Sequence, residues 1–232
     1  MKVEVLDNAD AVAEEAAAII ATDARIAIAE RGRFVMAVSG GHTPWAMLRA
    51  LAGMQVPWDS VHILQVDERV APEGDPDRNL TQLRESLLDH APLRPDQIHP
   101  MPVEEPDLQA AAAAYAQTLH DVAGTPAVLD LIHLGLGPDG HTASLVPGDP
   151  VLKVNDAAVA LTAPYQGRRR MTLTYPVLDH ARRVLWVVTG AEKAPMFARV
   201  RAGDRSLPAG RVRQDNAVAL VDRAAAGGLG AA

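Results

Sequence analysis

Short apolar runs recur along the chain, and each is followed by a segment with helical composition. Examples are Phe34 to Val38, Val61 to Val66 and Val184 to Thr189, which consist mostly of aliphatic side chains. Such runs are typical of strands that are buried on both faces of a sheet. Their alternation with helices predicts an α/β fold, in which a mostly parallel sheet is covered by helices on both faces.

The segments between these runs have recognisable helix ends. Asp7 or Asn8 can cap an alanine-rich helix that runs to Arg31, and Gly32 can end it. Prolines in first turns mark further helices. We expect the other helices at Trp45 to Leu51, Asn79 to His90, Pro106 to about Gly124, Tyr175 to Ala181, and from Lys193 to about Val200, and the other strands at Val3 to Leu6, Gln97 to Pro100, Val128 to Leu134, Ala157 to Thr162, Met171 to Thr174 and Ala217 to Val221.

The length of the chain fits one large domain. At 232 residues it lies within the usual size range of a single α/β unit. We therefore expect one domain over residues 1–232, with a frayed alanine- and glycine-rich tail from Ala224 onward. The core must be aliphatic, because aromatic residues make up only 3% of the sequence.

Charge and composition exclude several classes of function. The chain has 22 Lys and Arg against 29 Asp and Glu, a formal net charge of −7, which argues against a nucleic-acid partner. It has no cysteine, so disulfides and thiolate chemistry are excluded. No apolar run approaches the roughly 18 residues of a membrane span, and the first residues do not form a secretory signal. We expect a soluble, cytoplasmic protein that does not bind membranes.

The stretch from Leu129 to Gly148 carries the densest polar chemistry. An apolar strand is followed by two glycines, and Asp139, His141, Thr142 and Ser144 then lie within six positions of one another. Glycines let the backbone turn sharply and leave room for a ligand. The stretch is an active-site candidate, although on its own it is equally compatible with an ordinary strand-to-helix turn.

A second loop, from Ser39 to Pro44, combines two glycines with two hydroxyl groups at the expected start of a helix. Open backbone N–H groups and the helix dipole favour an anion at such a position. The loop has neither the GxxxxGK[ST] nor the GxGxxG pattern, and taken alone it is more simply read as a capping turn.

Charged side chains follow two more strands. Asp67, Glu68 and Arg69 come directly after an apolar run, and Gly190 to Lys193 follows another. Each loop alone would fit a solvated turn, yet the carboxyl ends of parallel strands meet at one edge of a sheet. Lys193 at a helix start is unfavourable unless an anion binds there, and strand alternation would place Arg170, Thr172 and Thr174 on one face. The sequence therefore predicts one site at this edge.

Five ordered blocks resemble the 6-phosphogluconolactonase family. They are Ser39 to Pro44, Asp67-Glu68-Arg69 with Asn79, Gly135 to Leu145, Arg170 to Thr174, and Thr189 to Ala194. The most specific is Gly-x-Gly-x-Asp-Gly-His-Thr-Ala-Ser-Leu. The chain departs from the family pattern at His42, where serine is frequent, at Val146, where phenylalanine is common, and at Arg78, where serine commonly precedes the asparagine.

The resemblance implies a Rossmann-like fold shared with sugar-phosphate isomerases and deaminases, no cofactor, and hydrolysis of 6-phospho-D-glucono-1,5-lactone in the oxidative pentose phosphate pathway. It implies His141 as the base that activates water, oriented by Asp139 or Asp67. Arg69 would lie near the sugar or the phosphate. The remaining substrate-binding residues are Ser39, Gly40, Gly41, Thr43, Asn79, Arg170 and Lys193. We expect a monomer or weak homodimer.

Four alternatives compete with this interpretation. A serine hydrolase would pair Ser144 with His141, but the chain has no GxSxG elbow. No HxxxH spacing supports a metal hydrolase, and His133, inside a strand, fits a satisfied core residue. An amino-sugar-phosphate deaminase of the same superfamily would need a glutamate after the histidine block, where Thr142 to Pro147 has none. A sugar-phosphate sensor would need an appended DNA-binding motif.

Overall fold

The computed structural model describes residues 1–227, in which strands and helices alternate. The strands are β1 (Lys2–Leu6), β2 (Phe34–Val38), β3 (Val61–Gln65), β4 (Asp67–Arg69), β5 (Ile98–His99), β6 (Leu131–Leu134), β7 (Val159–Leu161), β8 (Arg170–Leu173), β9 (Val184–Val188) and β10 (Ala217–Asp222). The helices are α1 (Ala9–Arg31), α2 (His42–Ala52), α3 (Asn79–Leu83), α4 (Leu108–Ala123), α5 (Tyr175–His180), α6 (Ala194–Arg201), α7 (Pro208–Arg211) and α8 (Arg223–Ala226). The expected strands of the parallel sheet are confirmed to within a few residues.

Seven of the described strands form one parallel sheet, in the order β1-β10-β9-β6-β2-β3-β5. The register pairs Phe34 with Val61 and Met36 with Leu131, so β2 lies between β3 and β6. Strands β2, β6 and β9 are buried along their whole length. The predicted parallel sheet covered on both faces is therefore confirmed.

Alternate side chains of each central strand enter two different cores. On β2, Val35 and Ala37 pack with Tyr115 and neighbouring residues of α4, whereas Phe34 and Met36 pack with α1 and α2. Helix α1 contributes a face of small alanines, so it packs closely on the sheet. It begins at Asn8, whose side chain accepts a hydrogen bond from the N–H of Ala11, and ends at Gly32 in the left-handed region, as predicted.

A second sheet was not predicted. Asp67, Glu68 and Arg69, expected as a polar loop, form β4, which pairs antiparallel with β8, and β8 pairs with β7. Val66 connects the two sheets, since its N–H donates to Val38 O and its carbonyl accepts from Leu173 N–H. Charged residues can form this strand because their buried carboxylates are hydrogen-bonded, Asp67 to the Ser144 hydroxyl and Glu68 to the backbone N–H groups of the residues that follow.

Three helix ends differ from the prediction. Arg78 occupies the cap position of α3, and the Asn79 side chain donates to Asp67 O instead of capping the helix. After Leu83 the helix continues as a π-helical turn, Arg84–Leu88. The alanine-rich helix α4 begins at Leu108 with Asp107 as its cap, so Pro106 precedes the helix and does not open it. An Asp side chain that accepts two backbone N–H bonds is the stronger start signal.

The expected frayed tail is wrong at its beginning. Residues Arg223–Ala226 form α8, where Asp222 accepts a hydrogen bond from the N–H of Ala225, and Ala225 and Ala226 are buried. The rest of the predicted tail, residues 228–232, lies outside the described residues. Across the described chain, no helix combines the length and apolarity that crossing a bilayer requires.

Candidate active site

Three of the expected polar loops and strand β4 meet at the carboxyl edge of the parallel sheet around a cavity of about 380 Å³. They follow β2, β3, β6 and β9, with the small antiparallel sheet closing one side. The lining includes every substrate-binding residue expected from the sequence, together with His141 and Asp67: Ser39, Gly40, Gly41, His42, Thr43, Asp67, Arg69, Asn79, Gly135, Gly137, His141, Arg170, Thr189, Glu192 and Lys193. Asp139 is outside the lining and contacts His141.

The loop after β2 is held against two neighbours. Ser39 donates its backbone N–H to His133 Nδ1 at 3.2 Å and its hydroxyl to the His133 carbonyl at 3.1 Å. A Cβ on Gly40 would lie 2.0 Å from Asn79 Oδ1, so only glycine permits this approach. Thr43 Oγ1 lies 2.6 Å from the hydroxyl of Thr189. The loop is thereby fixed with its glycine backbone along the cavity.

His133 supports this loop from inside the sheet. Burial lowers the pKa of His133 to about 3, so the ring is neutral, and its Nδ1 accepts the Ser39 N–H. The expectation of a satisfied core histidine holds for that nitrogen only. Nε2 has no hydrogen-bond partner among residues 1–227.

His141 and Asp139 form a close pair on the loop after β6. Asp139 Oδ1 lies 2.5 Å from His141 Nδ1 and also accepts the His141 backbone N–H at 3.1 Å. A Cβ on Gly137 would lie 2.1 Å from the His141 ring, so that position must be glycine. Since a carboxylate can only accept, Nδ1 carries the proton, and Nε2 is left as the basic nitrogen.

The charge state of Asp139 follows from its partners. Burial alone would raise the pKa of Asp139. The hydrogen bonds from the backbone and ring of His141 and from the hydroxyl of Tyr165 outweigh burial and lower that pKa below its ordinary value. Asp139 is therefore an anion beside the His141 ring and accepts the hydrogen bond from Nδ1.

Asp67 is hydrogen-bonded to Ser144 and Asn79 and not to His141. Its Oδ2 accepts the Ser144 hydroxyl at 2.6 Å, and its carbonyl accepts the Asn79 side-chain amide at 2.9 Å. Of the two carboxylates left open by the sequence, the one hydrogen-bonded to His141 is Asp139. The geometry also opposes a serine hydrolase, because the buried Ser144 donates to Asp67 and not to His141.

Arg69 and Asn79 are placed by a buried carboxylate that the sequence analysis did not single out. Glu68 Oε1 accepts the backbone N–H groups of Arg69 and Asn79, both at 2.8 Å. Its Oε2 accepts the N–H of Leu80 at 2.8 Å and lies 3.5 Å from Nε of the buried Arg78. Strand alternation, which turns Glu68 away from Asp67 and Arg69, is the signal that could have identified it.

The cationic side of the cavity comes from β8 and the loop after β9. Arg170 is 5% exposed, and burial lowers its pKa. Its Nη2 donates to Gln166 Oε1 at 3.2 Å. Lys193 ends the 3₁₀ turn Ala191–Lys193 that leads into α6, and the preceding Gly190 N–H is held by the Asp222 carboxylate at 3.1 Å. Both cations therefore sit on anchored backbone.

Sequence reasoning missed Tyr165, which touches three groups of the site. Its hydroxyl donates to Asp139 Oδ2 at 3.1 Å, and its ring lies against the His141 ring and the Arg170 guanidinium group. It belongs to none of the blocks that carry the family resemblance, so no pattern pointed to it. Glu192 also lines the cavity. Among residues 1–227, no group of three or more His, Asp or Glu side chains is arranged to hold a metal ion.

Similar proteins support one family. Residues 7–221 match the family of glucosamine-6-phosphate isomerases/6-phosphogluconolactonase. A 6-phosphogluconolactonase of Mycobacterium tuberculosis is 37% identical over 98% of each chain. The crystal structure of a 6-phosphogluconolactonase from Thermotoga maritima has a TM-score of 0.86 at 26% identity, covering 95% of this chain and 98% of that one.

The fold is shared more widely. The structure of a monomeric glucosamine-6-phosphate deaminase has a TM-score of 0.85 at 19% identity, covering 97% of this chain and 99% of that one. At this identity the likeness concerns the fold alone. The family match covers most of the chain, and the mycobacterial relative is more than one third identical to it. The chain therefore belongs to the glucosamine-6-phosphate isomerase/6-phosphogluconolactonase family.

Proposed function

We propose that the protein hydrolyses 6-phospho-D-glucono-1,5-lactone to 6-phospho-D-gluconate, the lactonase step of the oxidative pentose phosphate pathway. The observation that carries this proposal is the His141–Asp139 pair at a cavity that also presents Arg69, Arg170 and Lys193. A lactone is an activated ester, so a base, an oriented water and stabilisation of the developing negative charge suffice for its hydrolysis.

In the proposed reaction His141 is the general base. Nε2 takes a proton from water as the water oxygen forms a bond to the lactone carbonyl carbon. Asp139, bound to Nδ1, stabilises the imidazolium that forms. When the ring C–O bond breaks, the same imidazolium returns the proton to the departing ring oxygen. The product is a carboxylic acid with a free hydroxyl, and His141 is neutral again.

The phosphate is proposed to bind at the start of α2, in the cavity that Lys193 also lines. Gly41 at the cap position makes no side-chain capping bond, so the first N–H groups of α2 are open to an anion. The proposed contacts are the backbone of Gly40 and Gly41, the hydroxyls of Ser39 and Thr43, and the side chains of Arg170 and Lys193.

Arg69 and Asn79 are joined by a hydrogen bond at the cavity. Arg69 Nη1 donates to the Asp77 carbonyl at 2.6 Å and to Asn79 Oδ1 at 3.1 Å. Asn79 in turn is bound to Asp67. Arg69 is therefore proposed to contact the sugar or the phosphate, with Asn79 and Asp67 holding the guanidinium in place.

Substrate preference tests this function against deamination. Purified protein, with a strong chelator present, should release 6-phosphogluconate from the lactone well above the spontaneous rate and release no ammonia from glucosamine 6-phosphate. Ammonia release with lactone hydrolysis at the blank rate would favour the deaminase. Binding without either reaction would favour a sensor. Activity lost to the chelator and restored by a divalent metal would contradict metal-independent hydrolysis.

The proposal also covers the cofactor requirement, the location and the oligomeric state of the enzyme. We propose that the enzyme acts without a cofactor, in the cytoplasm, as a monomer or weak homodimer, and binds no nucleic acid. Sedimentation of the purified protein over a concentration series tests the oligomeric state, since a weak dimer dissociates on dilution.

A further inference from the structure

We propose that Tyr165 is a positioning residue for this active site: it orients the Asp139–His141 pair through its hydroxyl and Arg170 through its ring. This inference rests on the proposed function for its kinetic consequences. Its structural content, a coupling between Tyr165 and the His141 ring, stands independently of the reaction.

The hydroxyl of Tyr165 donates a hydrogen bond to the Asp139 oxygen that His141 does not contact. It donates to Oδ2 at 3.1 Å, while Oδ1 is bound to the backbone N–H and Nδ1 of His141. Each carboxylate oxygen thus accepts at least one hydrogen bond. A carboxylate held at only one oxygen can rotate, and His141 would then lose the fixed orientation that a general base needs.

The ring of Tyr165 contacts the other two groups. It packs edge to face against His141, with ring centroids 5.6 Å apart and planes at 68°. The guanidinium carbon of Arg170 lies 5.0 Å from the centroid of the Tyr165 ring, within the range of a cation–π interaction. One side chain therefore touches the proposed base and a proposed phosphate ligand.

A tight turn aims Tyr165 at these partners. The Tyr165 N–H donates to Arg168 O at 2.9 Å, and the Arg168 N–H returns to Tyr165 O at 3.3 Å. The two residues between them, Gln166 and Gly167, both have positive φ, 51° and 79°, as a two-residue hairpin turn of type I′ requires.

Both ends of this turn are anchored. Arg168 Nη2 forms ion pairs with Asp75 at 3.0 Å and Asp77 at 3.1 Å. On the other side, Ala163 N–H donates to the Asp149 carboxylate at 3.0 Å. The position of Tyr165 is therefore set by the backbone and by neighbouring loops.

Tyr165 remains a donor across the working range of pH. Burial raises the pKa of Tyr165, and the hydrogen bond to the Asp139 carboxylate raises it further. The hydroxyl accordingly withdraws part of the negative charge of Asp139. Without it, the full negative charge of Asp139 would act on the His141 ring.

Other ionisable groups face the cavity beside His141, and substitution of Tyr165 leaves them in place. Asp139 and Tyr165 contact the His141 ring directly. The other charged or titratable side chains that line the cavity are His42, Asp67, Arg69, Arg170, Glu192 and Lys193.

Tyr165→Phe tests the hydroxyl, and Tyr175→Phe is its matched control. The Tyr175 hydroxyl also makes one hydrogen bond, to Pro208 O at 3.0 Å, and lies outside the cavity lining. For Tyr165→Phe we expect kcat to fall about three- to tenfold, the effect of one hydrogen bond, with KM unchanged. The acid limb of the kcat/KM profile should move to higher pH.

Tyr165→Leu tests the ring. It removes the hydroxyl and the cation–π contact together, so KM should also rise, by about three- to tenfold, because Arg170 loses its support. Melting curves identify the folded variants. A variant that is folded but kinetically identical to Tyr175→Phe overturns the assignment, and so does a lower kcat with an acid limb that stays in place or moves to lower pH.

A spectroscopic measurement separates this inference from the proposed function. The ring resonance of His141, identified by its disappearance in His141→Asn, is titrated by NMR without substrate. Its titration midpoint should be higher in Tyr165→Phe than in wild type and unchanged in Tyr175→Phe. An unchanged midpoint in Tyr165→Phe overturns the coupling. If wild type fails to hydrolyse the lactone, the proposed function fails, while this titration still decides the role of Tyr165.

Discussion

Strands β2, β6 and β9 in the middle of the parallel sheet differ from β4 at its carboxyl edge in how their buried side chains are stabilised. The central strands carry apolar residues such as Phe34, Met36 and Ile132, which pack without directional bonds. β4 buries Asp67 and Glu68, whose carboxylates are hydrogen-bonded: Asp67 accepts the Ser144 hydroxyl, and Glu68 accepts the N–H groups of Asn79 and Leu80.

This difference predicts different responses to substitution. Apolar packing loses stability in proportion to the volume removed and tolerates changes that conserve shape. A buried polar network fails when one partner is lost, because the remaining group stays desolvated and unpaired. Substitutions in the central strands should therefore change stability alone. Those at the edge should change activity, with or without stability.

The largest expected effect is catalytic and leaves the fold intact. His141→Asn keeps a polar side chain of similar reach but removes the base, so kcat should fall by about two to four orders of magnitude. The melting temperature should stay near that of wild type. Steady-state kinetics with blank subtraction measure the change. His120→Asn, on α4 and bound to Thr125, is the control, and equal activities of the two variants would falsify the role of His141.

Glu68→Gln should combine a stability loss with a kinetic one. It removes the buried charge partner of the buried Arg78 and leaves only the exposed Glu104, which is expected to lower the free energy of unfolding by up to about 3–5 kcal/mol. Because Glu68 also holds the backbone of Arg69 and Asn79, kcat/KM should fall as well.

Glu104→Gln is the matched control for Glu68→Gln. Glu104 also pairs with Arg78, at 3.4 Å, but its side chain is 49% exposed. Exposed pairs contribute about 0–1 kcal/mol. Urea unfolding at constant pH compares the two variants, and similar losses in both would show that burial does not set the value of this network.

Lys193→Ala should weaken recognition of the phosphate without unfolding the protein. A hydrogen bond to a charged group contributes roughly 1.5–3 kcal/mol, so kcat/KM for the phosphorylated lactone should fall about 10- to 150-fold. The unphosphorylated lactone should be little affected. Arg201→Ala, an exposed cation at the end of α6, is the control. Equal losses on both lactones would assign Lys193 to structure and not to binding.

His133 connects the two regions and should make stability depend on pH. Its pKa is lowered to about 3 by burial, below the ordinary value of about 6.5, so the unfolded chain binds the proton first. The stability is therefore highest above pH 6.5 and falls as pH falls toward 3, and the loss at pH 5 is about 2 kcal/mol. Urea unfolding measures the loss of unfolding free energy between pH 7 and pH 5. That loss should be about 2 kcal/mol smaller in His133→Asn than in wild type. The same dependence in both proteins would exclude His133 as its source.

The smallest effect is expected in the centre of the sheet. Ile132→Val removes one buried methylene-sized group and should lower the free energy of unfolding by about 1 kcal/mol. Lactonase kinetics should match wild type, because packing around β6 tolerates the change. A kinetic loss comparable to that of Lys193→Ala would contradict the separation of the two regions.

The sequence predicted the parallel framework well because its signals are local. Asn8 and Gly32 mark the ends of α1, and the apolar runs mark the buried strands. Gly137 was expected to leave room for a ligand, whereas the structure shows the His141 ring against Gly137 and the Asn79 side chain against Gly40.

The small antiparallel sheet was missed because its pairing is not local. β4 and β8 are joined through Asp67 and Thr172, far apart in sequence, and charged residues do not follow an apolar strand pattern. The choice between Asp67 and Asp139 was open for the same reason. It depends on Ser144 and Tyr165, whose contacts with these carboxylates exist only in the fold.

The pH profile of kcat/KM tests the central proposal, lactone hydrolysis with His141 as the base, most directly. Initial rates are measured for wild type and His141→Asn from acid to neutral pH, each corrected for spontaneous hydrolysis. Wild-type kcat/KM should fall as the medium is acidified, because protonation of His141 removes the base, and the residual activity of His141→Asn should lack this acid limb. An acid limb that persists unchanged in His141→Asn would contradict the account and make Asp67 the first candidate for the base.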